Sequence, residues 1–361
     1  MAESNIRTPR NPVPVPFVAI SPERFIRAAR GAARTLHITN GSVAADGIRL
    51  SGVAGTVTLS ADLLYEGPTP ASLPPERWRK VRARYLAEGG YGGYDECLAN
   101  LMAWDHAVDE YRSYDEVVLW FEHDLFDQLQ LIRLLDGFSS RDLGLTKLSL
   151  ICIGELPGIE PFYGLGQLSP EQMGALLATR RPVTKDQLVL ARHAWRVFCA
   201  PEPIGIEVAL RRDTTALPFL AGALQRHLEE FPSIRNGLSR TEHQALAALE
   251  TAHGTLPFEA LFRAVQQAEE RPFQGDTSLL HCLVELSTDP RRLVRLDREV
   301  SGSSRSQKVA LTATGQEVLA GRDDWVSIHG IDRWLGGVHL HGREAQWRWD
   351  PDRGRLVPGS L

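Results

Sequence analysis

Tyr114–Gly137 reads YDEVVLWFEHDLFDQLQLIRLLDG, and in this stretch a strand gives way to a helix. The apolar run Val117–Phe121 predicts a strand that is buried on both faces. After it, apolar residues recur at helical spacing, at Leu125, Leu129, Ile132 and Leu135. A buried strand followed directly by an amphipathic helix is typical of an α/β sheet.

Three ionisable residues, Glu122, His123 and Asp124, separate the predicted strand from the helix. Charged groups are costly to hold beside buried apolar residues, and open α/β sheets bind ligands at the carboxyl ends of their strands. We therefore predict that these three residues are catalytic. The neighbours that we expect to bind ligand are Trp120, Asp127 and Gln128. The alternative is that Glu122 and Asp124 cap the helix and interact with its positive N-terminal end.

A second candidate segment, Asn40-Gly41-Ser42, follows the first predicted strand, Thr35–Thr39. It predicts a tight turn into a helix over Val43–Leu50, with Ser42 as the N-cap. Backbone N–H groups at such a turn suit an anion, so all three residues are predicted to bind ligand, unless they only make the turn. Within the strand, His37 is either a catalytic residue or a hydrogen-bonded core histidine.

Acidic residues also follow the second predicted strand, Thr56–Leu59. In a parallel sheet they would lie at the same edge as the first two segments. The next predicted helix, Glu76–Glu88, is rich in arginine, which forms a solvated face or turns inward to meet an anionic ligand. The residues that we predict to contact ligand in this part of the chain are Asp62, Glu66, Gly67 and Arg84.

Composition indicates a soluble cytoplasmic protein with more than one domain. The chain has 361 residues, which is too many for one ordinary core, and no apolar run approaches the ~20 residues that span a bilayer. The four cysteines form no CxxC pair, which predicts buried reduced thiols. The net charge of −5 argues against a protein coated with nucleic acid.

The order of these segments predicts five parts in an α/β protein. They are an N-terminal arm with a short helix (1–33), an α/β domain with an open, mostly parallel sheet (34–156), a helical layer without strands (157–236), a winged-helix-like domain (237–322) and a β tail with a terminal hairpin (323–361). Alternating strands and helices favour the parallel sheet. Three helices followed by a two-stranded ribbon are typical of a winged helix.

Several short motifs together resemble a bacterial family known as domain of unknown function 1835. The motifs are His37–Ser42, Glu66–Pro68, Leu119–Asp124 with Asp127–Leu129, Gly164–Ser169 and Asn236–Ser239. The resemblance covers roughly residues 34–349. It implies a bacterial protein with this domain layout, and it brings no activity with it.

Two functions are compatible with these residues. Converging carboxylates hold Mg²⁺ beside a phosphate or act as general acid and base, which predicts an enzyme, a hydrolase or transferase, acting on a phosphorylated or nucleotide-like small molecule. Magnesium is thus a candidate cofactor, although no residue is assigned to it. The alternative is a ligand-sensing transcriptional regulator, or a module that binds a protein partner through the winged helix.

The third predicted helix of the winged-helix-like part, Gly275–Leu286, decides our preference between these functions. It contains no arginine or lysine, although DNA readers need such residues to contact phosphates and bases. We therefore favour the small-molecule enzyme and do not expect specific DNA binding or a membrane partner.

Overall fold

The computed structural model describes residues 34–60, 62–71, 73–288, 291–297 and 307–359. The expected N-terminal helix and the tip of the ribbon at 301–306 lie outside these ranges. The first elements alternate between strand and helix, which confirms the expected fold class. They are β1 (Thr35–Asn40), α1 (Ser42–Leu50), β2 (Thr56–Ser60), α2 (Pro75–Glu88), α3 (Tyr94–Asp109), β3 (Glu116–Glu122), α4 (Leu125–Ser139) and β4 (Lys147–Ile153).

Strands β1 to β4 form a parallel sheet in the spatial order β2-β1-β3-β4. The chain places β2 on one side of β1 and places β3 and β4 on the other. The order in which strands are added therefore reverses between β1 and β3, which makes this position a topological switch point. A switch point leaves a crevice beyond the carboxyl ends of its two strands.

Helices cover both faces of the sheet, which explains why β3 reads as a continuous apolar run. Val118 and Trp120 pack in a core with α1, whereas Leu119 and Phe121 pack in a larger core with α4. Because alternate residues of a strand point to opposite faces, every residue from Val117 to Phe121 is buried. The organising strand and helix were thus predicted correctly.

The middle of the chain is largely helical. Its elements are α5 (Pro170–Leu176), β5 (Arg181–Pro182), α6 (Lys185–Phe198), α7 (Ile204–Leu210) and α8 (Leu220–Leu228). The expectation that this part has no strand was wrong, because β5 pairs antiparallel with β4 at the edge of the sheet. A two-residue strand is too short to show a period of two, and its proline suits an edge position.

The C-terminal part contains a second hydrophobic core and a small antiparallel sheet in the order β6-β8-β7. The elements are α9 (Arg240–Thr251), β6 (Thr255–Pro257), α10 (Phe258–Ala268), α11 (Asp276–Leu286), β7 (Val294–Asp297), β8 (Lys308–Leu311), α12 (Ala313–Leu319) and α13 (Trp325–His329). Helix α9 begins at the capping box of Ser239 and Glu242 that the sequence shows.

Two hairpins complete the chain, where one was expected. They consist of β9 (Ile331–Leu335) with β10 (Val338–Gly342), and of β11 (Trp347–Asp350) with β12 (Arg355–Pro358). Leu340, Trp349 and Leu356 join the core that contains α4, α6 and α8, so the hairpins pack onto the first part of the molecule. None of the helices in the described ranges has the length and apolar character that crossing a membrane requires.

Candidate functional site

The carboxyl ends of β1 and β3 meet at the switch point. Thr39 pairs with Trp120, so Asn40 and Glu122 end neighbouring strands at the same edge. Asn40 Nδ2 donates a hydrogen bond to Asp127 Oδ2 at 3.2 Å, which ties the end of β1 to the start of α4. The first and third candidate segments therefore come together.

Three carboxylates converge at this edge. Glu122, Asp124 and Asp127 each offer an oxygen atom within 4.8 Å of the others. Asp124 Oδ1 accepts a hydrogen bond from the Asp127 N–H at 2.8 Å, and Asp127 Oδ1 accepts one from the Glu122 N–H at 3.2 Å. Gln128 Nε2 donates to the Glu122 carbonyl oxygen at 2.6 Å. Backbone contacts of this kind fix the positions of the acidic side chains.

Asp124 is the N-cap of α4 and belongs to the carboxylate cluster as well. A carboxylate at a helix N-terminus satisfies a free N–H and interacts favourably with the helix dipole. The two interpretations of Asp124 are therefore compatible. Glu122 does not cap α4: its side chain turns to the segment that precedes α5, where it accepts a hydrogen bond from the N–H of Leu165, the first residue of a short 3-10 helix.

Burial makes the ionised form of all three carboxyl groups unfavourable. Desolvation raises the pKa of Glu122 to about 8, and the neighbouring charge of Asp124 adds to this effect. Desolvation also raises the pKa of Asp124 to about 7. The pKa of Asp127 is raised by desolvation and by both neighbouring carboxylates. The cluster therefore holds protons at neutral pH unless a positive charge replaces them.

The cluster differs from the other buried acidic residues in having no cationic side chain. Asp62, Glu242 and Asp350 are also buried, and their partners are Arg82, Arg333 and Arg353 respectively. Within the described ranges, no arginine, lysine or histidine lies within ion-pair distance of the three clustered carboxylates. Buried charges in proteins are normally paired or coordinate metals.

A further buried oxygen lies beside the cluster. The Asn40 side chain is 5% exposed, and its Oδ1 atom has no hydrogen-bond partner in the described part of the chain, although its Nδ2 atom binds Asp127. An unpartnered buried amide oxygen costs free energy. Together with the three carboxylates it provides a set of oxygen donors, which is the chemistry that Mg²⁺ prefers.

Helix α1 begins next to Asn40 and points its N-terminus to the same edge. Gly41 is its N-cap at φ 75° and Ser42 is its first helical residue, so the prediction of Ser42 as N-cap was wrong. Glycine takes the cap because this positive φ strains other residues. The space where a Gly41 side chain would lie is open, and Ser42 is exposed. The first N–H groups of α1 therefore remain accessible to an anion.

A cavity of about 540 Å³ opens from the cluster toward the C-terminal part of the molecule. Glu122 and Asp124 lie at its wall, together with residues from the loop after β2, from the loop before α5 and from α10 and α11. The aromatic and amide side chains of its lining are those of Tyr65, Tyr91, Phe126, Tyr163, Gln266 and Phe273. This cavity lies between the α/β sheet and the second hydrophobic core, a common location for ligand sites.

His37 and Trp120 form a buried pair inside the sheet. Both side chains are 0% exposed. Trp120 Nε1 donates to His37 Nδ1 at 3.0 Å, and His37 Nε2 lies 3.2 Å from the Ala54 carbonyl oxygen. Desolvation lowers the pKa of His37, so the ring is neutral, with its proton on Nε2. Neither side chain lines the cavity, and this geometry favours the core-histidine interpretation.

His123 is likewise buried, between the rings of Phe162 and Phe219. Desolvation lowers its pKa to about 4, and the charge of Arg271 contributes. The imidazole is therefore neutral at physiological pH, and its Nδ1 atom has no hydrogen-bond partner among the described residues. The His123 side chain does not line the cavity.

Asp62 belongs to a buried ion pair. Its Oδ1 atom lies 2.7 Å from Arg82 Nη2, and both side chains are 0% exposed. Arg82 also donates to the carbonyl oxygens of Leu63, Glu66 and Pro68. One arginine of α2 therefore turns inward, as one alternative predicted, but it meets a carboxylate of this chain.

Arg84, two positions after Arg82 on α2, is exposed on the outer face of the helix. Helix geometry explains the difference, because residues two apart point about 200° away from each other. The sequence gives no reason to choose Arg82 over Arg84, and the choice of Arg84 therefore lacks structural support.

Glu66 joins the two parts of the molecule. Its carboxylate accepts hydrogen bonds from Tyr85 and Tyr91, both at 3.1 Å, and from the Ser278 hydroxyl at the start of α11. Gly67 follows at φ 72°, with the Tyr85 ring against its Cα. Glu66 thus holds α11 beside the cavity, and Gly67 allows the chain to turn there.

Sequence reasoning missed the contributions of Gly164–Leu165 and of α11. Gly164 has φ 149°, and a side chain there would overlap the Glu122 carboxylate. The Gly-rich pattern signals a turn, but nothing in it indicates a partner 43 residues away. Likewise, the capping and periodicity of α11 predict a helix without indicating that its first turn lines a cavity with Glu122.

Comparisons with known proteins identify no relative from which a fold or a function can be transferred to this chain. No protein-family model matches the chain, and no curated protein matches it. Among solved structures, it is similar to a chain in a structure of Drosophila ORC bound to DNA, with 14% sequence identity and a TM-score of 0.21. That similarity covers 81% of this chain and 72% of the other, and its TM-score is too low to indicate a shared fold.

Proposed function

We propose that this protein binds a phosphorylated or nucleotide-like small molecule together with a divalent cation at the switch point, and acts on it as a hydrolase or transferase. The observation that carries the proposal is the convergence of Glu122, Asp124 and Asp127 without a cationic side chain. Every other fully buried carboxylate in the described ranges has an arginine. A bound cation would supply the missing charge.

The donor set fits a hard cation such as Mg²⁺. Glu122, Asp124, Asp127 and the Asn40 amide oxygen offer oxygen ligands and no nitrogen or sulfur ligands. The carboxyl groups hold protons because their pKa values are raised. Cation binding would release these protons, since ligands must be deprotonated. When bound, the cation would neutralise charge on a phosphoryl group.

The start of α1 supports a phosphate beside this cation. Its N-terminal N–H groups are accessible, Gly41 leaves open space, and the helix dipole favours an anion at this end. Phosphate binding at a helix N-terminus next to a carboxylate-held metal is a recurring arrangement in phosphoryl-transfer sites.

Glu122 and Asp124 are the groups in position to move protons. Both line the cavity, and the one whose carboxyl group does not bind the cation is placed to exchange a proton with the ligand, as a general acid or base does. Asp127 does not line the cavity; it offers a ligand to the cation and also orients Asn40 and the Glu122 backbone. His37 and Trp120 support the strand ends from within the core, and we assign them no contact with the reacting molecule.

The motifs behind the resemblance to domain of unknown function 1835 agree with this proposal. His37–Ser42 and Leu119–Asp124 are the two strand ends that form the switch point, and Gly164–Ser169 begins at the loop that binds Glu122. On these motifs we propose membership of that bacterial family. The four cysteines are free, which supports our proposal that the protein is cytoplasmic.

The regulator remains the second candidate, with a winged helix formed by α9–α11 and the small sheet. The packing of α11 argues against a DNA-binding role for it, because Ser278 and Leu279 are buried and Ser278 binds Glu66. A helix that lines the cavity is not free to enter a major groove. We therefore propose that this part of the chain is a wall of the small-molecule site.

A thermal-shift screen tests the proposal. MgCl₂ or MnCl₂ would be combined with pyrophosphate, sugar phosphates and nucleotides, and release of inorganic phosphate would be followed in parallel. We expect the cation and the phosphorylated compound together to raise the melting temperature more than the sum of their separate effects. Absence of any cation-dependent shift would overturn the proposal.

A further inference from the structure

We infer that the ligand is a nucleotide whose base carries an exocyclic amino group, with the base lying between the α/β sheet and α10–α11. The inference rests on the proposed function, because it places the phosphate end of the ligand at the carboxylates. It adds the chemical class of the rest of the molecule.

The cavity has room for a ligand larger than a metal phosphate. Its volume is about 540 Å³, within the range of roughly 300–1,000 Å³ that accommodates whole cofactors and drug-sized molecules. Glu122 and Asp124 form only part of its lining, which also includes Asp276. The rest of the lining is rich in aromatic rings, which are those of Tyr65, Tyr91, Phe126, Tyr163 and Phe273.

Part of this aromatic wall is rigid. The Tyr65 ring packs edge-on against Phe126 at 5.5 Å and against Phe273 at 5.2 Å, and its hydroxyl lies 2.9 Å from that of Ser278. Phe126 follows Asp124 by two residues, so this wall begins next to the carboxylates. Fixed aromatic side chains give a planar base a surface to pack on without ordering new groups.

Tyr163 provides a second aromatic surface. Its side chain is 45% exposed and lines the cavity, and it directly precedes Gly164, which contacts the Glu122 carboxylate. The same loop therefore places one ring and one carboxylate at the cavity. An exposed ring beside a charged phosphate site is suited to stacking on a base, a contact worth severalfold to a hundredfold in affinity.

Gln266 supplies the polar contact that distinguishes between bases. Gln266 lines the cavity, and its Nε2 atom donates to the Gln274 carbonyl oxygen, which orients the amide and leaves its Oε1 atom as a hydrogen-bond acceptor. An acceptor selects a donor on the ligand. The 6-amino group of adenine and the 4-amino group of cytosine are such donors, whereas hypoxanthine and uracil present a carbonyl oxygen at the equivalent positions.

Calorimetric titrations in MgCl₂ test this inference. ADP would be compared with IDP and CDP with UDP, because each pair differs at the exocyclic group, and ribose 5-phosphate and pyrophosphate would report on the phosphate end alone. We expect ADP and CDP to bind about tenfold more tightly than IDP and UDP, since one oriented hydrogen bond is worth about that factor.

Two substitutions with matched controls locate the base. Tyr163→Leu should weaken ADP binding about tenfold and leave pyrophosphate binding unchanged, whereas Tyr94→Leu, at an exposed tyrosine outside the cavity, should change neither. Gln266→Leu should abolish the preference for ADP over IDP. Gln267→Leu, at the exposed neighbouring position of α10, should preserve it.

The outcomes separate this inference from the proposed function. Equal affinity for ADP and IDP, or pyrophosphate or ribose 5-phosphate binding as tightly as ADP, would overturn the inference and leave the cation–phosphate site standing. Failure of pyrophosphate and all nucleotides to bind in the presence of MgCl₂ would overturn both. An unchanged ADP affinity in Tyr163→Leu would also refute the proposed position of the base.

Discussion

Replacing Glu122 with glutamine distinguishes a cation ligand from a structural carboxylate. The glutamine side chain has nearly the same shape and keeps an oxygen that accepts the Leu165 N–H. It removes one of three clustered carboxyl groups that repel one another when ionised, none of which pairs with a cationic side chain in the described part of the chain. We therefore expect Glu122→Gln to fold as well as the natural protein in the absence of cations.

The raised pKa of Glu122 determines the sign and the size of the effect of pH on the free energy of unfolding. An ordinary glutamate titrates near 4.5, and burial raises the pKa of Glu122 to about 8. The folded state binds this proton more tightly than the unfolded state does. The stabilisation that protonated Glu122 provides is therefore complete below about pH 4.5 and is lost as the pH rises through 8. At ~1.4 kcal/mol per unit, this loss is on the order of several kcal/mol.

The variant should therefore lose less stability than the natural protein between pH 5 and pH 9. Added Mg²⁺ should reverse the loss in the natural protein, because at a hundred times its dissociation constant a cation adds ~2.7 kcal/mol. For a chain of this size that corresponds to roughly 4 °C in melting temperature. Scanning calorimetry at pH 8 with and without MgCl₂ measures this difference.

Glu155→Gln is the matched control, since Glu155 is exposed just after β4 at the same edge of the sheet. It should keep the full response to Mg²⁺, and Glu122→Gln should lose it. A destabilised Glu122→Gln protein that still responds to Mg²⁺ would refute the reasoning, because Glu122 would then be a structural group.

Three other substitutions test the surroundings of the site. Gly164→Ala should lower the melting temperature and abolish the Mg²⁺ response, measured by calorimetry, because a side chain there overlaps the adjacent carboxylate. Arg82→Met should lower the free energy of unfolding by about 3–5 kcal/mol in urea titrations, because it leaves the buried Asp62 charge without its main partner. Trp120→Phe should cost about 1–3 kcal/mol by removing the donor to His37, and it should leave cation binding intact in the Mg²⁺ melts; a lost Mg²⁺ response would instead place Trp120 in the site.

The periodicity of the sequence predicts the sheet and the helices that cover it. The change from a continuous apolar run to helical spacing at Leu125 is a local signal, and it suffices to place the carboxyl end of β3. Because β1 and β3 are each followed directly by a helix, a parallel sheet is expected, and with it the meeting of Asn40 and Glu122 at one edge.

Contacts between distant segments could not be predicted in the same way. Arg82 and Arg84 are the same residue type on the same helix, and they differ only in the direction in which α2 points their side chains. Glu66 follows a strand as Glu122 does, but the tyrosines and the serine that bind it lie up to 212 residues away. Local patterns identify which residues end strands, whereas packing decides which of them face a cavity.

A titration with Mn²⁺, monitored by electron paramagnetic resonance, tests whether Glu122, Asp124 and Asp127 bind a divalent cation. We expect one bound Mn²⁺ per chain at pH 8, with weaker binding at pH 6, because protons compete for carboxyl groups whose pKa burial raises. Asp127→Asn should lose this binding and Glu155→Gln should retain it. Absence of bound Mn²⁺ at pH 8, or binding that neither pH nor Asp127→Asn changes, would contradict the account.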